Sequence, residues 1–246
     1  MHPVLLHWRG IKIYSYPAML YLGLVLGIAV GNVAANLAGL DSARVFLATF
    51  ALIVPALIGA RLFYVAAHWD VYHREPRRIW RRSEGGAAMY GGLPFALLLS
   101  VPLLRALGLP FGAFWDVMTF TIFTGMVLTR IGCLLNGCCA GRPTDGWLAL
   151  CLINARGERR RRIPTQLLEA AWGGLLLVGA VGLWGRLSFP GALFLYALAG
   201  YGVGRFVLEM MREERRSVLW GFTAGQVVSA GVVLASLVIA LVNWPA

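Results

Sequence analysis

Seven apolar stretches of roughly 20 residues recur along this chain, separated by short polar segments rich in arginine and glycine. They run from Pro17 to Leu37, Phe46 to Ala67, Ala88 to Leu107, Ala113 to Leu128, Pro164 to Trp184, Pro190 to Met211 and Leu219 to Trp244. About 20 residues is the length at which a helix crosses about 30 Å of hydrocarbon. No segments alternate polar and apolar residues in the way a lipid-facing barrel requires. The pattern therefore predicts an all-α, polytopic membrane protein with seven transmembrane helices, residues 1–246 forming a single integral-membrane domain.

Composition narrows the class. At 59% hydrophobic and 13% charged residues the chain departs from soluble domains, in which roughly a quarter of residues are charged. The opening HPVLLHWRGIKIYSYP mixes aromatic and basic residues, so residues 1–16 are expected as an interfacial segment on the membrane surface. No small-residue cleavage pattern follows, and the first apolar stretch is expected to stay as a helix.

The formal charge of +11 comes from 22 basic residues, of which only Lys12 is a lysine, against 11 acids. The arginines gather between Arg74 and Arg82 and between Arg156 and Arg162, where anionic lipid headgroups lie within reach. A soluble nucleic-acid module and aromatic interleaving are both missing, so no nucleic-acid partner is expected. With seven spans, the side opposite the N-terminus carries only Arg44, Arg105 and Arg186. The positive-inside rule then places the N-terminus in the cytoplasm, together with the polar segment 129–163, expected as a loop.

Several polar residues fall within the apolar stretches, where they are costly unless they serve something. Arg61, in PALIGARLFYV, should face the bundle interior or a wet cavity. Arg205 and Glu209 are four apart in YGVGRFVLEMM and share a helix face, either as a packing ion pair or as an arginine aimed at an anionic headgroup with its supporting carboxylate. Gln166 and Glu169, in PTQLLEAAW, share another face, with helix capping by Thr165 or Glu169 as the simpler role. Asp116 is expected to cap the start of the fourth helix. Gly91 and Gly92 allow close approach of a helix or a headgroup, and Tyr90 beside them is a phosphate donor or an interface anchor.

Between Arg130 and Arg142 the chain reads RIGCLLNGCCAGR, and all four cysteines lie between Cys133 and Cys151. No metal is expected here. A zinc site wants paired short spacings, no histidine follows His73, and adjacent Cys138 and Cys139 fit one tetrahedral ion poorly. The thiols read either as catalytic or redox groups, with Arg130 and Arg142 favouring thiolate, or as small buried residues in a glycine-rich turn.

Taken together, these segments resemble the prolipoprotein diacylglyceryl transferase family of bacterial inner-membrane enzymes. RIGCLLNGCCAGRPT is similar to its signature G-R-x-G-N-x-x-N-G-E-x-x-G-R-x-T, and GARLFYV, MYGGL, PTQLLE, RFVLEMMRE and GQVVS match further blocks in the same order. The resemblance covers nearly the whole chain and implies a multi-pass protein of the bacterial inner (cytoplasmic) membrane. It assigns Arg130 to the signature arginine, Asn136 and Gly137 to its Asn-Gly, Gly141 to the later glycine, Arg205 to the late-helix arginine and Tyr16 to the tyrosine before the first helix.

The implied reaction is attack of a lipobox cysteine thiol on the glycerol carbon bearing the phosphate of phosphatidylglycerol. The partners would be an anionic phospholipid and a lipobox-containing prolipoprotein, with no cofactor. This chain departs from the family at Tyr90, where a histidine precedes Gly-Gly, and at Cys133 and Cys138, which replace an asparagine and a glutamate.

The expected catalytic set is Arg130, Arg205, Tyr90, Cys133 and Cys138. The expected substrate-binding set is Tyr16, Arg61, Gly91, Gly92, Asn136, Gly141, Arg142, Gln166, Glu169 and Glu209. Two alternatives stay open: a related transferase acting on another acceptor or through a cysteine nucleophile, and a non-catalytic phospholipid-binding membrane protein.

Overall fold

The computed structural model describes residues 4–8, 11–73, 75, 79, 89–153, 157–213, 217–219 and 221–244. Each apolar stretch contains a helix, the seventh only from Ala224 because Leu219 and Phe222–Thr223 lie in strands. The helices are α1 (Ser15–Leu37), α2 (Ser42–Ala67), α4 (Met89–Leu107), α5 (Phe111–Asn136), α6 (Thr165–Leu183), α7 (Ala192–Glu209) and α8 (Ala224–Asn243), with the four-residue α3 (Trp69–Tyr72) after α2. Six of them are long and apolar enough to cross a membrane, and α4 adds a shorter apolar helix over Gly91–Leu107. Large apolar side chains point outward along them, Leu241 at 76% and Val242 at 79% exposure, as hydrocarbon-facing residues do.

Strands occur only as antiparallel pairs among the described residues: β1 (Val4–Trp8) with β2 (Ile11–Tyr14), β3 (Leu150–Ile153) with β4 (Arg159–Arg162), and β5 (Ser217–Leu219) with β6 (Phe222–Thr223). The N-terminal segment is thus a hairpin, and its Leu5, Leu6, Ile13 and Tyr14 are exposed.

The polar segment 129–163 is not one loop. Helix α5 continues past Leu128 to Asn136, because nothing in RIGCLLN breaks a helix. It stops at Gly137, whose φ of 79° is the left-handed C-terminal cap conformation. The Gly137 and Cys138 N–H groups both donate back to the Cys133 carbonyl, at 3.0 and 3.1 Å. Downstream, β3 and β4 pair with Leu150 opposite Arg162 and Ile153 opposite Arg159.

The chain forms two compact units, Met1–Ala34 with Trp115–Ala246 and Ala35–Phe114. In the first, α1 and α5 approach through glycine: a Cβ added at Gly23 would sit 3.1 Å from the Gly125 carbonyl oxygen, and one at Gly27 would sit 2.7 Å from that of Thr121. Small residues four apart allow such backbone approach in membranes, where apolar solvent gives helices no hydrophobic reason to associate. Phe123 of α5, Leu176 of α6 and Ala197 of α7 form a buried core that Trp172 and Tyr196 cover.

Asp116 caps a helix other than its own. It lies inside α5, and its carboxylate accepts from the N–H groups of Gly191 at 2.7 Å and Phe194 at 2.9 Å, at the N-terminus of α7. A fixed negative charge there complements the dipole of α7. In the second unit, α2 packs on α4 through Gly59, Gly91 and Gly92. A Cβ at Gly92 would lie 2.9 Å from the Ala56 carbonyl oxygen. The occupant of that glycine surface is therefore a helix.

Candidate functional site

Two carboxylates organise the polar residues of the first unit. Glu169, one turn into α6, is 5% exposed and forms ion pairs with three arginines: Arg130 Nε from α5 at 2.5 Å, Arg205 Nη1 from α7 at 3.1 Å and Arg212 Nη2 at 3.2 Å. Glu209, the last residue of α7, takes Arg205 Nη2 at 2.6 Å and lies 3.9 Å from Arg212 Nε. Neither glutamate caps its helix. A charge left unpaired at such burial would cost several kcal/mol, so the pairing orders both partners.

Three guanidinium groups against two carboxylates leave one formal positive charge. Helices α5, α6 and α7 each supply members, so helix packing itself sets the spacing of the arginines. The Glu209 carboxylate also accepts from Thr223 Oγ1 at 3.3 Å, and Thr223 closes a capping box with Gln226 at the start of α8. Beside the ion pairs, Met126, Trp172, Tyr201 and Leu208 join Arg130, Glu169 and Arg205 around a small, partly open cleft. Trp172 is fixed as one wall by donating to the Gly200 carbonyl at 3.0 Å. The cleft thus has a cationic end and an apolar flank, complementary to an anionic group and an apolar chain.

A second cluster adjoins the first. Gln166, one turn before Glu169 and 1% exposed, donates through Nε2 to the Cys138 carbonyl at 2.6 Å. Thr165 donates to the Cys139 carbonyl at 2.7 Å instead of capping α6. These bonds hold Cys139 at φ 61°, a left-handed conformation that costs a non-glycine residue on the order of 1–3 kcal/mol. The sulfurs of Cys133, Cys138 and Cys139 then lie within 4.8 Å of one another. Hydrogen bonds from the other two thiols, with the charges of Arg212 and Arg130, hold the Cys139 thiol well below the ordinary thiol range. Tyr16, in the first turn of α1, lies within electrostatic reach of all three thiols and of Arg130.

The backbone at Gly141 ties these clusters together. Its N–H donates to the Ile163 carbonyl at 3.0 Å and the Arg142 N–H to the Met211 carbonyl at 2.9 Å, which joins the approach to α6 to the end of α7. A Cβ at Gly141 would meet those same carbonyl oxygens at 2.8 and 2.7 Å, so only glycine fits. Arg142 is exposed on this clip.

The family model for prolipoprotein diacylglyceryl transferase matches residues 3–242. The chain belongs to that family. A phosphatidylglycerol–prolipoprotein diacylglyceryl transferase of Nitrobacter winogradskyi is 33% identical over 202 residues, 80% of this chain and 68% of the relative. One from Geobacillus kaustophilus is 31% identical over 252 residues, 98% of this chain and 92% of the relative. One from Symbiobacterium thermophilum is 30% identical over 254 residues, 98% and 89%.

Of the site residues expected from the sequence, Arg130, Glu169, Arg205 and Glu209 meet in the ion-pair cluster. Cys133, Cys138 and Gln166 meet in the thiol cluster, and the Asn136 side chain reaches the Cys138 sulfur. Arg61, Gly91 and Gly92 belong to the second unit. There Arg61 donates to the Ile79 carbonyl at 2.8 Å and lies over the rings of Tyr64 and Tyr72 at 5.7 and 5.5 Å. The Tyr90 side chain lies outside the described residues.

Sequence reasoning missed Arg212, Trp172, Tyr201 and Arg162. Arg212 carried a readable signal, since Arg205, Glu209 and Arg212 continue one helical face at spacings of four and three. Arg162 carried none. It is the last of four consecutive arginines in β4, yet it is fully buried, pairs with Glu213 at 2.8 Å and donates to the Gly141 carbonyl at 3.4 Å. That part of the arginine run holds the clip and does not face lipid headgroups.

Proposed function

We propose that this protein transfers the diacylglyceryl group of phosphatidylglycerol to the cysteine thiol of a lipobox-containing prolipoprotein. The observation that carries this reading is the glutamate-ordered cluster of Arg130, Arg205 and Arg212, with its one excess positive charge beside an apolar cleft. A phosphodiester bears one negative charge, and as glycerol phosphate leaves it gains a second. Guanidinium groups held in place beforehand favour the state with more charge, which is what lowers a barrier.

In the transfer, a carbon–sulfur bond forms at the glycerol carbon and the carbon–oxygen bond to phosphate breaks. The phosphate oxygen keeps the electron pair, and the thiol proton passes to solvent or a base. Glu169 and Glu209 act here as positioning residues for the arginines, while Met126, Trp172 and Leu208 face the acyl end. Multi-pass membrane insertion follows from the helices and the family. Placement in the bacterial inner membrane is supported by family membership, and an orientation with the basic face toward the cytoplasm by the charge distribution.

Purified protein incubated with labelled phosphatidylglycerol and a lipobox peptide is expected to yield thioether-linked peptide and one equivalent of glycerol phosphate. Arg130→Ala and Arg205→Ala are each expected to lower kcat by about 10²–10³-fold. Lipid bound but never turned over would instead identify a binding protein.

A further inference from the structure

The transfer just described needs a thiolate nucleophile, and the thiol cluster supplies a means of making one that uses no side-chain base. We propose that Cys133, Cys138 and Cys139 bind a single zinc-type divalent cation, whose fourth position is open to the thiol of the acceptor peptide. This rests on the transferase reading for the identity of the fourth ligand, but not for the three protein ligands.

The three sulfurs already lie within 4.8 Å of one another. A tetrahedral zinc–thiolate site with bonds of about 2.3 Å needs sulfurs about 3.8 Å apart, which thiol rotations of about an ångström provide. Adjacent cysteines on regular backbone project apart, the reason the sequence argued against a metal. Here Cys139 has φ 61°, and Thr165 and Gln166 hold the carbonyls of Cys139 and Cys138, so the backbone already has the bend that convergence requires.

The donor set is sulfur alone. That selects a borderline-soft ion and excludes magnesium or calcium. Three thiolates around a divalent ion leave one negative charge, against three without the ion, and Arg130 and Arg212 interact electrostatically with Cys139. The fourth cysteine is not part of this group: Cys151 lies in β3, where Arg159 Nε donates to its sulfur at 3.3 Å.

Three protein ligands and one vacant position are the arrangement of catalytic zinc sites, as distinct from closed structural ones. A thiol that enters the fourth position loses its proton to solvent and binds as thiolate. It then attacks the glycerol carbon, the carbon–oxygen bond breaks, and glycerol phosphate departs with the electron pair. The thioether formed is a weak neutral ligand and leaves the metal. No oxidant or reductant enters.

The test uses the full-length protein, purified in detergent, reduced and stripped of metal, with Co(II) as the spectroscopic probe. One equivalent of Co(II) is expected to produce thiolate-to-cobalt charge-transfer absorption and tetrahedral d–d bands, both displaced by Zn(II). Cys133→Ser and Cys138→Ser should abolish the bands, while Cys151→Ser keeps them. Thermal unfolding of each variant without metal checks that the fold survives, and Zn(II) should raise the midpoint of the wild type and Cys151→Ser only. A lipobox peptide with cysteine should shift the d–d bands, and its serine counterpart should not.

The proposal is overturned by sub-stoichiometric uptake, by bands that persist in both Cys133→Ser and Cys138→Ser, by spectra indifferent to the cysteine peptide, or by loss of two of the clustered thiols to a disulfide in place of metal binding. Transfer assayed in parallel separates the two readings. Transfer undiminished without metal removes this inference alone, whereas metal uptake without transfer removes the transferase reading and leaves the three-thiolate site.

Discussion

Arg159, Arg160, Arg161 and Arg162 are the same residue four times, and only their surroundings distinguish them. The first three are exposed on β4, while Arg162 is 0% exposed and bonded to Glu213 and the Gly141 carbonyl. Composition and hydropathy carry no signal for that difference, because its shorter contacts come from the signature segment and from the end of α7, far away in sequence, while the local Glu158 adds only a longer pair at 3.6 Å. Arg162→Ala is expected to lower stability by about 3 kcal/mol, the low end for a broken buried pair because Glu213 is 35% exposed and can regain water. Arg160→Ala is expected to stay within about 0.5 kcal/mol. Thermal or denaturant unfolding in detergent compares the two, and equal losses would show that Arg162 is not the buried anchor described. Arg205 with Glu209 was legible in the sequence, since spacing on one helix fixes a face. The convergence of Arg130, Arg205 and Arg212 on Glu169 was not, since it joins three helices.

At the level of elements, hydropathy locates a helix by its solvent while backbone geometry ends it. That is why α5 outruns its apolar stretch and stops at Gly137, and why the signature arginine stands on a rigid helix instead of a loop. Asp116 teaches a related point: an acid near a helix start reads as that helix's cap, but here the start of α7 lies within reach and takes it. Glycine spacing on α1 is legible as a pattern, though the partner helix is not. Because a Cβ at Gly27 would meet the Thr121 carbonyl oxygen at 2.7 Å, Gly27→Ala is expected to push α1 from α5 and cost about 1–3 kcal/mol. Gly174→Ala on α6, where added atoms meet open space, is expected to be neutral or slightly stabilising through helix propensity. Unfolding midpoints of the two variants, measured in the same detergent, check the contrast; an unaffected Gly27→Ala would refute the close crossing.

For the whole molecule, six long apolar helices and the shorter α4, if each crosses the membrane once, put the two chain ends on opposite sides. With the basic segments facing the cytoplasm, a periplasm-dependent phosphatase reporter fused after Ala246 is expected to be active, and the same reporter after Arg82 inactive. The opposite pattern would reverse the orientation. Helix number, membrane residence, family and the residue types at the site all follow from one-dimensional information, because lipid imposes a length and an apolarity on every span and the family blocks keep their order. Tertiary structure alone decided that Glu169 gathers three arginines, that Asp116 serves α7, that Arg162 is interior, and that a left-handed Cys139 brings three sulfurs together. Each of these depends on distances between residues far apart in the chain, which packing sets and periodicity does not encode.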